Sequence, residues 1–208
     1  MGLFDNLMRQ AENLIKSEVK STAKSAVNSA VNSASKAAAS TAKTTTVTIA
    51  CLPQSADEMR AMPEFTLSDP FVVAALSVAA LDRYGEDREA AKEMLNVLKG
   101  PAPLVQRDIQ FINDRFMDGK DYVARSYFGG TSPENDYTPS QPFTVAVTEQ
   151  SNSRENEGYI RLFLKSSGAD SIRPVVLRNK PSTGEWFLWQ FESLLADIRI
   201  PKSTDKWA

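Results

Sequence analysis

Residues 69–84, Asp-Pro-Phe-Val-Val-Ala-Ala-Leu-Ser-Val-Ala-Ala-Leu-Asp-Arg-Tyr, decide the architecture. Asp69 and Pro70 form an N-cap and first-turn pair, because Asp accepts an orphan backbone N–H and proline has none to lose. The helix that follows carries Val72, Val73, Ala75, Leu76, Val78, Ala79 and Leu81 with almost no polar stripe, so it must be covered on every side. It is the expected centre of a helical layer, and Gly85 breaks it. Upstream, Ser55 and Glu58 have capping-box spacing and open a brief helix through Met62. Downstream, a polar helix from about Asp87 turns Ala90, Met94, Leu95 and Leu98 inward and stops at Gly100-Pro101. A fourth spans about Leu104 to Met117, with Val105, Ile109, Ile112 and Phe116 on its apolar side.

The pattern on either side of this helical block has period two. Thr46 to Cys51 alternates, with Val47, Ile49 and Cys51 on one face and Pro53 as a stop, which makes Cys51 a small buried residue. Tyr122 to Phe128 reads as a strand, followed by a Gly/Pro/Asn-rich loop from Gly129 to Pro142 and a strand carrying Phe143, Val145 and Val147. Tyr159 to Lys165 sets Ile160, Leu162 and Leu164 against Tyr159, Arg161, Phe163 and Lys165. Arg173–Leu177 and Trp186–Phe191 flank a turn with Pro181 and Gly184, a hairpin whose aromatic row Phe187, Trp189 and Phe191 is expected in the core. Helices first and strands afterwards imply an α+β fold: a layer of about four helices on an antiparallel sheet of four to five strands.

Residues 1–45 are a different material. They hold six cations against three anions, no proline and one aromatic, Phe4, whereas the chain as a whole has a net charge of -2 over 208 residues. Phe4, Leu7, Met8, Leu14, Ile15, Val19, Val27 and Val31, with intervening alanines, recur at the three-and-four spacing of a long amphipathic helix. An eleven-residue repeat links Phe4, Ile15, Ala26 and Ala37, and that period keeps an apolar stripe in line on a nearly straight helix. The expected division is 1–45, this helix, and 46–208, a globular domain.

The residue inventory excludes much chemistry. Histidine is absent, which removes Ser-His-Asp and Cys-His nucleophile systems and His-based zinc sites. One cysteine rules out an internal disulfide framework. Glu134 with Asp136, and Asp118 with Asp121, match no calcium-loop spacing, and Gly129-Gly130 lacks the remainder of a phosphate loop. No metal, cofactor or nucleic acid is expected, and the favoured class is non-enzymatic. Asp5 and Glu12 stand where a secretory signal needs a basic region and an apolar core, which points to a cytoplasmic protein. Arg161, Phe163, Lys165, Arg178 and Trp186 form the candidate ligand surface, a cationic and aromatic group on the outer side of the strands.

The words Gly168-Ala-Asp-Ser-Ile-Arg-Pro174, Glu185-Trp-Phe-Leu-Trp189 and Asp197-Ile-Arg-Ile-Pro201 resemble an uncharacterised bacterial family, a domain of unknown function, over about residues 47–208. The resemblance implies a domain start near 46 and brings no catalytic residue with it.

The functional expectation is a cytosolic interaction protein whose helix over residues 1–45 mediates self-association or docks into a protein partner; for that segment a partly disordered spacer is the alternative, since Ser, Thr and Asn lower helix propensity. Two other classes compete. One is a small-molecule-binding or enzymatic domain, with helices and a curved sheet enclosing a pocket in the manner of nuclear-transport-factor-like cones. The other is a peripheral membrane protein, with Phe4, Leu7, Met8, Leu14 and Ile15 in the headgroup boundary and Lys16, Lys20 and Lys24 near anionic lipid.

Overall fold

A computed structural model describes residues 42–207. The expected long helix over residues 1–45, with its nominated side chains from Phe4 to Val31, lies outside the described residues except at Lys43–Thr45, which open a β-strand rather than end a helix. The chain divides into two units, Met1–Ala42 and Lys43–Ala208.

The second unit is α+β, with five helices and a five-stranded antiparallel sheet. In chain order the elements are β1 (Lys43–Ile49), α1 (Ala56–Ala61), α2 (Pro70–Arg83), α3 (Arg88–Lys99), α4 (Gln106–Arg115), α5 (Tyr122–Arg125), β2 (Phe143–Glu149), β3 (Tyr159–Leu164), β4 (Arg173–Lys180) and β5 (Glu185–Gln190). The strands lie in the order β1-β2-β3-β4-β5. β1 pairs with β2 in full register from Lys43 opposite Glu149 to Ile49 opposite Phe143, so all the helices are inserted between two neighbouring strands.

The caps form as the residue types dictate. The Asp69 carboxylate accepts the Phe71 N–H at 2.8 Å, and Asp87 accepts that of Ala90 at 3.0 Å. Ser55 accepts the Glu58 N–H at 3.2 Å, while Glu58 reaches back to the Gln54 N–H at 2.8 Å. Helix α2 lies across all five strands, and Val73 through Leu81 are buried without a gap. The inner sheet face meets it with Val47, Ile49, Val145, Val147, Ile160, Leu162, Leu164, Val175, Leu177 and Leu188, all buried. This space is filled by side chains, at roughly 1.5–3 kcal/mol for each large aliphatic group removed from water.

Four expectations are corrected. Tyr122–Phe128 is not a strand: α5 takes up Tyr122–Arg125, and only Phe128 makes an isolated bridge, to Val145. The segment's buried apolar residues Val123, Ala124, Tyr127 and Phe128 follow a helical one-and-four spacing. Cys51 is exposed, because β1 ends at Ile49 and the chain bends there, the Ala50 N–H turning to the Glu64 carboxylate at 3.2 Å. Val105 is exposed as the N-cap of α4, whose closing group is Asp108, an acceptor for the Val105 N–H at 3.3 Å. In β5 the buried residue is Leu188, opposite Leu177, so Phe187 and Trp189 face outward and only Phe191, beyond the strand, enters the core.

Candidate functional site

The alternation that sends Ile160, Leu162 and Leu164 to the helices sends Tyr159, Arg161 and Phe163 to the opposite side of β3. Strand register then builds a surface. Tyr159 sits opposite Arg178, Arg161 opposite Val176, and Phe163 opposite Pro174, while Arg178 is also opposite Phe187 on β5. The Arg178 guanidinium carbon lies 5.6 Å from the Tyr159 ring centre and 5.0 Å from that of Trp189. The two rings meet edge to face at 5.9 Å. Each such cation–π contact contributes about 0.5–1 kcal/mol at an exposed site, so the main effect is to hold Arg178 and Trp189 in fixed positions.

Trp189, 37% exposed, separates two depressions. One, of about 470 Å³, involves Glu157, Tyr159, Arg161 and Gln190. The other, of about 350 Å³, lies where the α3–α4 connection wraps around β5 and is lined by Lys99, Pro101, Arg178, Lys180, Phe187 and Trp189. Gly100, at φ +55°, makes that wrapping possible, since the Phe187 ring lies flush against its α-carbon. Lys99 is only 6% exposed. Its ammonium sits 3.8 Å from an Asp108 oxygen and 5.6 Å from the centre of the Phe191 ring. Among the described residues no acceptor lies within hydrogen-bond distance of it.

Of the residues nominated from the sequence, Arg161, Phe163 and Arg178 share the outer face, and two do not join them. The Lys165 ammonium is committed to the Ala169 and Asp170 carbonyls, both at 2.6 Å. Trp186 shares the inner side of β5 with Leu188 and packs against the core, while its backbone N–H donates to the Leu67 carbonyl at 2.6 Å. The sequence reading set Tyr159 on this face without making it a site residue, put Phe187 and Trp189 in the core, and did not single out Lys99 or Lys180. Tyr159 was visible through its shared period with Arg161. Lys99 gave no signal, because a lysine in the last turn of a helix is ordinarily solvated.

The acidic pairs serve the fold. Asp136 accepts the Ser203 N–H at 3.0 Å, and hydrogen bonds from its own backbone and from Ser132 hold the Glu134 carboxyl below its ordinary range. Asp121 lies 3.7 Å from Arg125. Among the described residues no three His, Cys, Asp or Glu side chains gather as a metal set, and no helix is long and apolar enough to cross a membrane.

A family model described as a domain of unknown function, DUF6935, matches residues 51–202. The chain belongs to this family. No curated protein and no solved structure matches it. Two of the three words that carried the resemblance turn out to grip one another in the DUF6935 domain. The Arg199 N–H donates to the Gly168 carbonyl at 3.0 Å, the Arg199 guanidinium meets Asp170 at 2.6 Å, and Tyr137 donates its hydroxyl to the Arg199 carbonyl at 2.6 Å. Gly168 is required there, because a β-carbon would overlap the Tyr137 hydroxyl and stand 3.0 Å from Ile198 Cδ1. The third word, Glu185–Trp189, is the strand that carries Phe187 and Trp189 into the depression.

Proposed function

We propose that this chain is a non-enzymatic, cytoplasmic interaction protein. The segment ahead of β1 mediates self-association or docking to a protein partner, and the domain that follows presents the outer sheet face as a recognition surface. The observation that carries the reading of the domain is Arg178 held between Tyr159 and Trp189 on a solvent-facing strand surface, an arrangement that orders a large aromatic and a planar cation before anything binds. For residues 1–45 the support is the apolar stripe from Phe4 to Val31, whose small residues permit close helix–helix approach. The cytoplasmic assignment is supported by one exposed thiol, Cys51, which suits a reducing compartment.

The test is light scattering of the full chain over a concentration series, beside a full-length Leu14→Glu, Ile15→Glu, Val19→Glu variant. A mass above the monomer that falls to the monomer in the variant supports self-association. Monomeric behaviour for both, with tight binding of the unaltered chain to anionic vesicles, replaces this reading with the membrane one.

A further inference from the structure

The depression at the β5 edge has a composition that a solvated surface does not need. Three cations converge on it, Lys99 from the end of α3 and Arg178 and Lys180 from the outer side of β4, beside the apolar surfaces of Pro101, Phe187 and Trp189. Among the described residues neither Arg178 nor Lys180 has a carboxylate within 4 Å, and the only one near Lys99 is Asp108, at 3.8 Å. Lys99 is 6% exposed as a residue, and beyond Asp108 its ammonium meets no acceptor among the described residues, so its charge is incompletely paired by the protein.

We infer that this depression is a binding site for a small organic monoanion, a carboxylate joined to a flat apolar body. The carboxylate completes the pairing of Lys99, with the Arg178 guanidinium offering the planar fork that matches it. The apolar body lies between Pro101, Phe187 and the Trp189 ring, in a space of about 350 Å³, within the size range of small-molecule sites. The walls select a carboxylate with an organic body over inorganic phosphate, because Pro101, Phe187 and Trp189 offer a bare phosphate nothing apolar to cover. The site is independent of the role given to residues 1–45.

The experiment uses the full chain, with 2-naphthoate and its uncharged analogue 2-naphthamide as probes, followed by backbone amide chemical shifts and by calorimetry. Saturable shifts centred on Gly100, Arg178 and Trp189, with the amide at least tenfold weaker than the acid, are expected. Lys99→Met should weaken the acid at least tenfold and leave the amide unchanged, while Trp189→Ala should weaken both. Should Lys99→Met lose its cooperative thermal transition, Arg178→Gln on the outer face takes its place with the same expected selectivity loss. Equal affinity for acid and amide, shifts located elsewhere, no saturable binding, or displacement by inorganic phosphate at lower concentration than the acid overturns the proposal.

Discussion

Gly100→Ala probes the junction on which the depression depends. Gly100 has φ +55° and ψ −117°, a backbone region that a side chain adopts only under strain, costing about 1–3 kcal/mol. The added β-carbon would also overlap the Phe187 ring, whose Cγ would stand 3.0 Å away, and forcing a ring aside in a packed contact costs a further 1–3 kcal/mol or so. Taking about 3 kcal/mol together, and about 2–4 °C per kcal/mol for a chain of this length, Tm should fall by roughly 6–12 °C. The assay is thermal unfolding by circular dichroism at pH 7, with Phe187→Leu and the double variant alongside. Because Leu frees part of the space, the double variant should be less destabilised than the sum of the two single changes, by about 0.5–3 kcal/mol. A Gly100→Ala protein melting within about 2 °C of the parent, or strict additivity with Phe187→Leu, would refute the stated packing of Phe187 on Gly100.

Three other outcomes follow from the structure. Removing residues 1–42 leaves a cooperatively folding domain, whereas removing residues 1–50, up to the start of the family match, strips away β1 with buried Val47 and Ile49 and abolishes the cooperative transition; the two melting curves decide it. Burial pushes the Tyr137 phenol up to about 12 and raises that of Tyr127 as well. The unfolded chain therefore releases these protons first, and the stability they contribute is complete below pH about 10 and declines as pH rises through the folded values. Tyr137→Phe should flatten the fall in Tm between pH 10 and 12. Burial also holds the Asp82 carboxyl above its ordinary range, partly offset by Arg125 at 3.2 Å. Arg125→Met should cost about 2–3 kcal/mol at pH 7, less than for a fully buried pair, and the deficit should shrink on acidification as Asp82 takes up a proton; urea melts at pH 7 and pH 4 measure it.

What could be read in advance was whatever a single element determines by itself. Helix α2 was legible because no face of residues 70–83 could remain wet, and the caps at Ser55, Asp69 and Asp87 because each is a local bond between neighbours. The outer faces of β3 and β4 were legible from their period of two. The failures lie where the answer depends on a distant partner. Tyr122–Phe128 is short and apolar, so periodicity could not separate a helical turn from a strand. Which side of β5 is buried was settled by the pairing of Leu188 with Leu177, not by the larger aromatic residues beside it. Trp186 and Lys165 were assigned by charge and size, yet the Trp186 ring falls on the inner side of β5 with Leu188, and the Lys165 ammonium is held by the Ala169 and Asp170 carbonyls. The surroundings of Lys99 exist only where the end of α3 meets β4 and β5.

The pairing of β1 with β2 has a consequence for biosynthesis. β1 leaves the ribosome first, but its nearest ladder partner, Phe143 for Ile49, emerges 94 residues afterwards, a wait of about 5–20 s at ordinary translation speeds. Until then the strand has no ladder partner, and its four threonines at 44, 45, 46 and 48 leave Val47 and Ile49 as its only apolar side chains.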